Sequence, residues 1–450
     1  MTHCVEQLGL SFHPNRRVDV SFDAPRSSSD GGVLLLRLLD DELGLSELFA
    51  EALPDERRAD RVRHERREQV RQRLYQLALG YEDCNDANWL RYDPALLTAC
   101  DRLAEDSEGL SSQPTLSRFE NAVTARQLKQ LLLAFEQAYV DGLSRRRKLV
   151  LLDIDGTDDP THGHQQLTFF HGYYDQYMYH PLLVFDDEGA LVSALLRPGN
   201  THASRGAGGV LERLIRAIRQ RCRHAHIIVR ADSGFAMPRL FERLERLNRE
   251  LGGLDYIIGM ARNPVLERTA KPWLREAKQQ CEVTGRAARL YRHFYYAANT
   301  WPRRRRVIAK AEHLPKGSNP RFVVTSFRTM SAEEIYETYC ARGQCENYIK
   351  DLKNALHGDR LSCCRFRANF FRLLLHAAAY RLMHALRDHL AAVGSPLARG
   401  QADTLRLRLL KVAALVSQSA RRIWLRLPAV FPLASTFRAV ALRLATAPDT

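Results

Sequence analysis

Between Tyr339 and Lys353 the chain reads YCARGQCENYIKDLK, with no Gly or Pro after Gly343. A helix turns about 100° per residue, which puts Arg342, Glu346 and Lys353 within roughly 60° of Tyr339 on one face. Cys345, Ile349, Leu352 and Leu356 form the adjacent apolar stripe, suited to packing on a core. A carboxylate flanked by two cations suits a divalent metal beside a nucleic-acid phosphate. The same spacing also describes an ordinary salt-bridged amphipathic helix, so the choice depends on the rest of the chain.

Two short apolar runs upstream end in acids. Lys148 to Asp155 reads as a buried strand with carboxylates at its end. Asp153 and Asp155 share one face of it. His226 to Ala231 is a second strand, followed by Asp232, the small turn Ser233-Gly234 and the helical stretch MPRLFERLERLNRE. An Asp in that setting is either a helix cap or a functional carboxylate.

The pattern Tyr339, Arg342, Glu346, Lys353 resembles the Y-R-E-K signature of DDE-type bacterial insertion-sequence transposases. Asp155-Gly156-Thr157, Asp232-Ser233-Gly234-Phe235, LRPGNTH, and SQPTLSRFEN before the core are similar to segments of the same group. The resemblance covers roughly residues 110 to 360. It implies an α/β fold with a ribonuclease-H-like mixed sheet, a β-rich insertion and helical ends. It also implies that Asp155, Asp232 and Glu346 are catalytic and hold two Mg²⁺ ions, with Mn²⁺ able to substitute. Tyr339, Arg342 and Lys353 would contact DNA. The expected partners are double-stranded target DNA and the element's own terminal inverted repeats, with a homodimer in the active complex.

A competing motif overlaps the first acid. Asp153-Ile154-Asp155-Gly156-Thr157 also resembles the opening motif of haloacid-dehalogenase-type phosphatases, which would make Asp153 a nucleophile. That family needs a later acidic pair on another strand, and no convincing one follows. The other alternative is a catalytically inactive DNA-binding or regulatory relative, which the presence of all three acids argues against.

With 450 residues the chain exceeds one ordinary core. The expected division is a mainly helical DNA-binding region at 1–145, the first part of the core at 146–260, a β-rich insertion at 261–327, the rest of the core at 328–390 and a helical region at 391–450. Within the first region Ser117 and Glu120 fit a capping box. In the insertion, LYRHFYYAA, RRVIAKAEH and RFVVTSF read as strands. Trp301 with Arg303 to Arg306 reads there as a basic, aromatic-edged patch, either a seat for a displaced DNA end or an unstacked base or simply an exposed hairpin. FRANFFRLLLHAAAYRLMHALRDHL reads as an amphipathic helix, and DTLRLRLLKVAALVSQSARRIWLRL as a basic-faced helix. Sequence leaves open whether these last helices support the core, bind DNA or make a dimer contact. A formal charge of +15 fits a polyanionic partner. Nine scattered cysteines without zinc spacing fit a reduced compartment. With no signal peptide or spanning run, the expected location is the bacterial cytoplasm, with nucleoid association when DNA is bound.

Overall fold

A computed structural model describes residues 8–446. They divide into two compact units, one formed by the chain up to Phe119 and from Leu382 onward, the other by Glu120–Arg381.

The second unit holds the expected strands. Leu149–Gly156, Leu182–Asp186, Leu191–Leu195, His226–Ala231 and Leu254–Met260 are the first to fifth core strands. Their order in the sheet is third, second, first, fourth, fifth, the ribonuclease-H-like arrangement. The first three pair antiparallel, while the fourth runs parallel to both the first and the fifth. The first and fourth strands are buried on both faces, as parallel strands covered by helices require.

Side-chain alternation sorts the residues of these strands between two layers. Val150, Leu152 and Ile154 of the first strand, with Ile227, Val229 and Ala231 of the fourth, face helices Ala207–Arg221 and Pro238–Leu251. Leu151 and Ile228 face the opposite layer, where Ile335 and Tyr336 of the Ala332–Cys340 helix close the core. Asp153 and Asp155 follow Leu151 at two-residue intervals, and Arg230 and Asp232 follow Ile228. All four therefore lie on the face covered by that helix.

The inserted strands are present as Ala288–Tyr296, Arg305–Leu314 and Arg321–Thr325. They continue the core sheet, with Arg321–Thr325 pairing antiparallel to the fifth core strand. A helix, Pro264–Thr284, precedes them; Asn263 caps it and Pro264 starts its first turn.

The Phe366–Ala392 helix differs from its amphipathic reading. Every residue from Phe371 to Met383 is buried, because its apolar residues run almost without interruption. Two of its arginines find partners inside: Arg372 donates to the Ser362 hydroxyl at 2.6 Å, and Arg381 Nε donates to the Leu191 carbonyl at 2.9 Å.

In the first unit, Gly44 in the left-handed region (φ 63°) separates helices Val33–Leu43 and Leu45–Ala52. Ser117 lies inside the Gln113–Ala122 helix and so does not cap it. The capping box is formed by Thr124 and Gln127 at the next helix, which belongs to the second unit. The basic-faced C-terminal helix is also corrected. Ala414–Ser419 and Arg422–Arg426 form an antiparallel hairpin, and Ser27–Ser28 pairs with its first strand. Buried Ala414 and Val416 alternate with exposed Leu415, a period of two that the leucine and arginine spacing before it obscures.

One buried ion pair fixes the two central strands. The register sets Arg230 opposite Asp153, and the guanidinium donates to both carboxylate oxygens at 2.8 and 2.6 Å. Asp153→Ala strands a buried guanidinium, and such losses cost about 3–5 kcal/mol. Urea unfolding should show that drop in stability, and a midpoint within error of wild type would contradict the structural role.

Candidate active site at the ends of two parallel strands

The same register that pairs Arg230 with Asp153 brings Asp232 alongside Asp155, just past Ala231 and Ile154. The backbone N–H of Gly156 donates to Asp155 Oδ1 at 2.9 Å. Asp232 Oδ1 accepts from Gly234 N–H at 3.0 Å, capping the short turn Ser233–Phe235. Asp232 thus serves as a cap and stands in the carboxylate pair. It forms no ion pair among the described residues.

Tyr339 approaches the same point over the fifth strand. A Cβ at Gly259 would collide with the Tyr339 hydroxyl and crowd the Ser233 amide, so only glycine leaves room there. Beyond Tyr339 the expected single helix is interrupted. Ala332–Cys340 ends, Gly343–Lys350 begins, and Asp351–Ala355 widens into a π turn. At the junction the N–H groups of Arg342, Gln344 and Cys345 donate to carbonyls three residues back. This 3₁₀-type tightening rotates the face away from ideal spacing. The apolar stripe still buries Cys345, Ile349, Leu352 and Leu356.

The polar line of that stretch is spread accordingly. Arg342 donates to Asp155 Oδ2 at 2.8 Å and lies 3.4 Å from the Glu346 carboxylate. Glu346 stands on the outer side of the guanidinium, with its side chain 56% exposed. Lys353, carried by the π turn, donates to Asp158 Oδ1 at 2.8 Å and to the Asp158 carbonyl at 2.9 Å. Gln176 Nε2 donates to the other Asp158 oxygen at 3.0 Å. Both cations expected to meet DNA are therefore paired with carboxylates. Asp158 and Gln176 were not singled out as partners in sequence, because no local spacing links them to Lys353.

Burial dominates the electrostatics. It pushes the Asp155 carboxyl up to about 7, against the pull of Arg342 and with the repulsion of Asp232 added. Burial also raises Asp232, opposed by Arg342 and reinforced by Glu346. For Asp158, burial is outweighed by the Lys353 hydrogen bond and charge, so its carboxyl lies below the usual range.

Two other sequence features end up elsewhere. Asp153 is engaged by Arg230 on both oxygens, leaving no free nucleophile for the phosphatase reading. Trp301 is not a free platform: its indole packs edge-on against Phe241 at 5.2 Å and Tyr296 at 5.5 Å, with the Arg305 guanidinium over it. Arg305 is buried and paired with Glu245. Arg306 is tied to the carbonyls of Phe327 and Met330. The arginines nevertheless line a basic cavity of about 270 Å³ together with Arg249 and Arg328.

The profile of the family Transposase DDE domain group 1 matches residues 10–449. The chain belongs to the DDE transposases. It is an enzyme of DNA transposition, and the family acts with divalent metal ions. No curated protein matches this transposase. Among solved structures, a cryo-electron microscopy structure of a piggyBac transposase synaptic complex with hairpin DNA is similar with a TM-score of 0.44 and 11% identity, over 94% of this chain and 84% of that one.

The donor set of the transposase suits a hard cation, since carboxylate oxygens are the ligands such ions prefer. Asp155 and Asp232 are two half-buried carboxylates side by side, whose repulsion a cation would relieve. Among the described residues no three acidic, histidine or cysteine side chains converge closely enough to hold an ion. Arg342 lies between Asp155 and Glu346. None of the eight cysteines within the described residues forms a disulfide. No helix of the described residues is long and apolar enough to cross a membrane.

A carboxyl raised on folding favours the folded state at low pH and loses that contribution as pH rises through its folded value. In chelator, the transposase should lose stability between roughly pH 4 and pH 7, the window set by Asp155. Thermal melts across this range should show Asp155→Asn with a shallower decline. Identical slopes in the two proteins would contradict the assignment.

Proposed function

We propose that this transposase excises and integrates a bacterial insertion sequence by cut-and-paste, through phosphodiester hydrolysis followed by strand transfer. Asp155, Asp232 and Glu346 would hold two Mg²⁺ ions, or Mn²⁺ in their place. The observation that carries the reading is the pair of half-buried carboxylates, Asp155 and Asp232, at adjacent parallel strand ends, with Arg342 linking Asp155 to Glu346. When bound, the ions supply a lowered pKa for an attacking water and charge neutralisation on the departing oxygen.

The protein's own groups supply positioning. Arg342 presents a planar fork suited to two oxygens of a phosphate. Lys353 offers a compact charge on a flexible four-carbon stem, and Tyr339 a hydroxyl held over Gly259. Each of the two cations has a carboxylate partner that it would exchange for the incoming phosphate. Residues 1–145 would recognise the terminal inverted repeats, and two copies would act together on paired ends. The enzyme would work in the cytoplasm, on the nucleoid.

A duplex carrying the element end tests the assignment. Cleavage should require Mg²⁺ or Mn²⁺ and stop in excess chelator. Glu346→Ala should lower cleavage roughly 100-fold, because a misplaced catalytic group costs about that much. Duplex affinity should hold within a few-fold, since it rests on basic contacts to phosphate. Cleavage in chelator, or wild-type cleavage by Glu346→Ala, would remove these roles. Duplex binding without cleavage by the wild-type protein under any divalent ion would favour the regulatory relative.

A further inference from the structure

Between the first and second core strands the chain folds into a small sheet that the functions above leave unused. Gln176–Tyr179 is its central strand, flanked by Asp159–Pro160 and Phe169–His171. The register sets Phe170 opposite Tyr177, and their rings meet edge-on at 5.7 Å. Both are largely in solvent, Phe170 at 49% and Tyr177 at 62%, and Tyr173 at the hairpin tip is 85% exposed. Three large aromatics on one short hairpin are more than scattered surface hydrophobics explain.

Strand alternation gives the hairpin two working faces. Gln176 reaches Asp158, the partner of Lys353, on one face. On the other, Tyr177 lines a cavity of about 600 Å³ together with His164, Gln165, Gln166 and Arg365. That volume is ordinary for a site holding a small organic group. Gln165 donates its Nε2 to the Leu361 carbonyl at 2.9 Å, and its Oε1 is buried with no donor among the described residues. Arg365 is exposed and in no ion pair among the described residues. The turn side chain Tyr174 lies near the carboxylate cluster, where burial first and then the charges of Asp158 and Asp155 push its phenol up to about 12.

An exposed ring and a free guanidinium match the base and the phosphate of a nucleotide. The ring stacks on the base and the guanidinium meets the phosphate. We infer that this cavity receives an unpaired base of a single-stranded DNA end, with Tyr177, braced edge-on by Phe170, as the stacking platform. The inference rests on the transposase reading, and the test below separates the two.

The probe is a short single-stranded oligonucleotide containing 2-aminopurine, compared with an abasic oligonucleotide of equal length and charge, both with the full-length protein in chelator. Binding should quench 2-aminopurine fluorescence. The base-containing strand should bind about fivefold or more tightly than the abasic one, the scale of one base–aromatic stack. Tyr177→Ala should remove both the quenching and the preference, and Tyr177→Phe should keep them. Because Tyr177 is mostly in solvent, duplex affinity of Tyr177→Ala should stay at wild type and report an intact fold. Equal affinity for the two strands, or a preference that survives in Tyr177→Ala, overturns the cavity assignment while duplex binding and cleavage leave the transposase reading standing. Failure to bind duplex and single strand alike overturns both.

Discussion

The guanidinium of Arg342 joins groups 187 residues apart in sequence, donating to Asp155 at a strand end from the junction between two helices. Without a cation there, two carboxylates would be buried side by side, and like charges in a low-dielectric setting repel strongly. The pair explains why the chain breaks its helical ladder at Ala341–Cys345: the 3₁₀-type tightening delivers Arg342 inward while leaving Glu346 outside. It is an ion pair between partly screened groups, and its importance is positional rather than a large contribution to stability.

Sheet geometry supplies the other half of the arrangement. Parallel pairing and two-residue alternation place Asp153, Asp155, Arg230 and Asp232 on one face, in two matched rows. The inner row is a satisfied ion pair that braces the sheet. The outer row has two acids and no basic residue of its own, so it draws its cation from another element. The carboxylate that braces the sheet and the one proposed to hold metal are thus two residues apart on the same strand, and their partners distinguish them.

Much of this was legible in the sequence. The strands ending at Asp155 and Asp232 follow from short apolar runs closed by acids, and the helix after Asp232 falls where its apolar periodicity puts it. Three features were not legible. The junction at Arg342 depends on hydrogen bonds three residues back, and no residue other than Gly343 marks it. The hairpin Ala414–Arg426 hides behind a leucine- and arginine-rich stretch with helical spacing, and its strand pairing with Ser27–Ser28 is set by a segment nearly 400 residues away. The partners of Lys353 and Arg342 are tertiary, so the sequence supplied the cations without their counterions. Trp301 shows the converse: an aromatic beside arginines reads as a surface platform, yet its ring is used in packing.

The claim at the centre of this account is that Asp155 and Asp232 together form the seat for a divalent ion. Electron paramagnetic resonance of Mn²⁺ titrated into the protein without DNA reads that seat without relying on catalysis. Changes to groups outside the ligand set already weaken metal sites by about 10- to 100-fold, so loss of a ligand should cost at least roughly tenfold. The account predicts bound Mn²⁺ in the wild-type protein and at least that loss in both Asp155→Asn and Asp232→Asn, with each variant folded. Undiminished Mn²⁺ binding in both variants would contradict it.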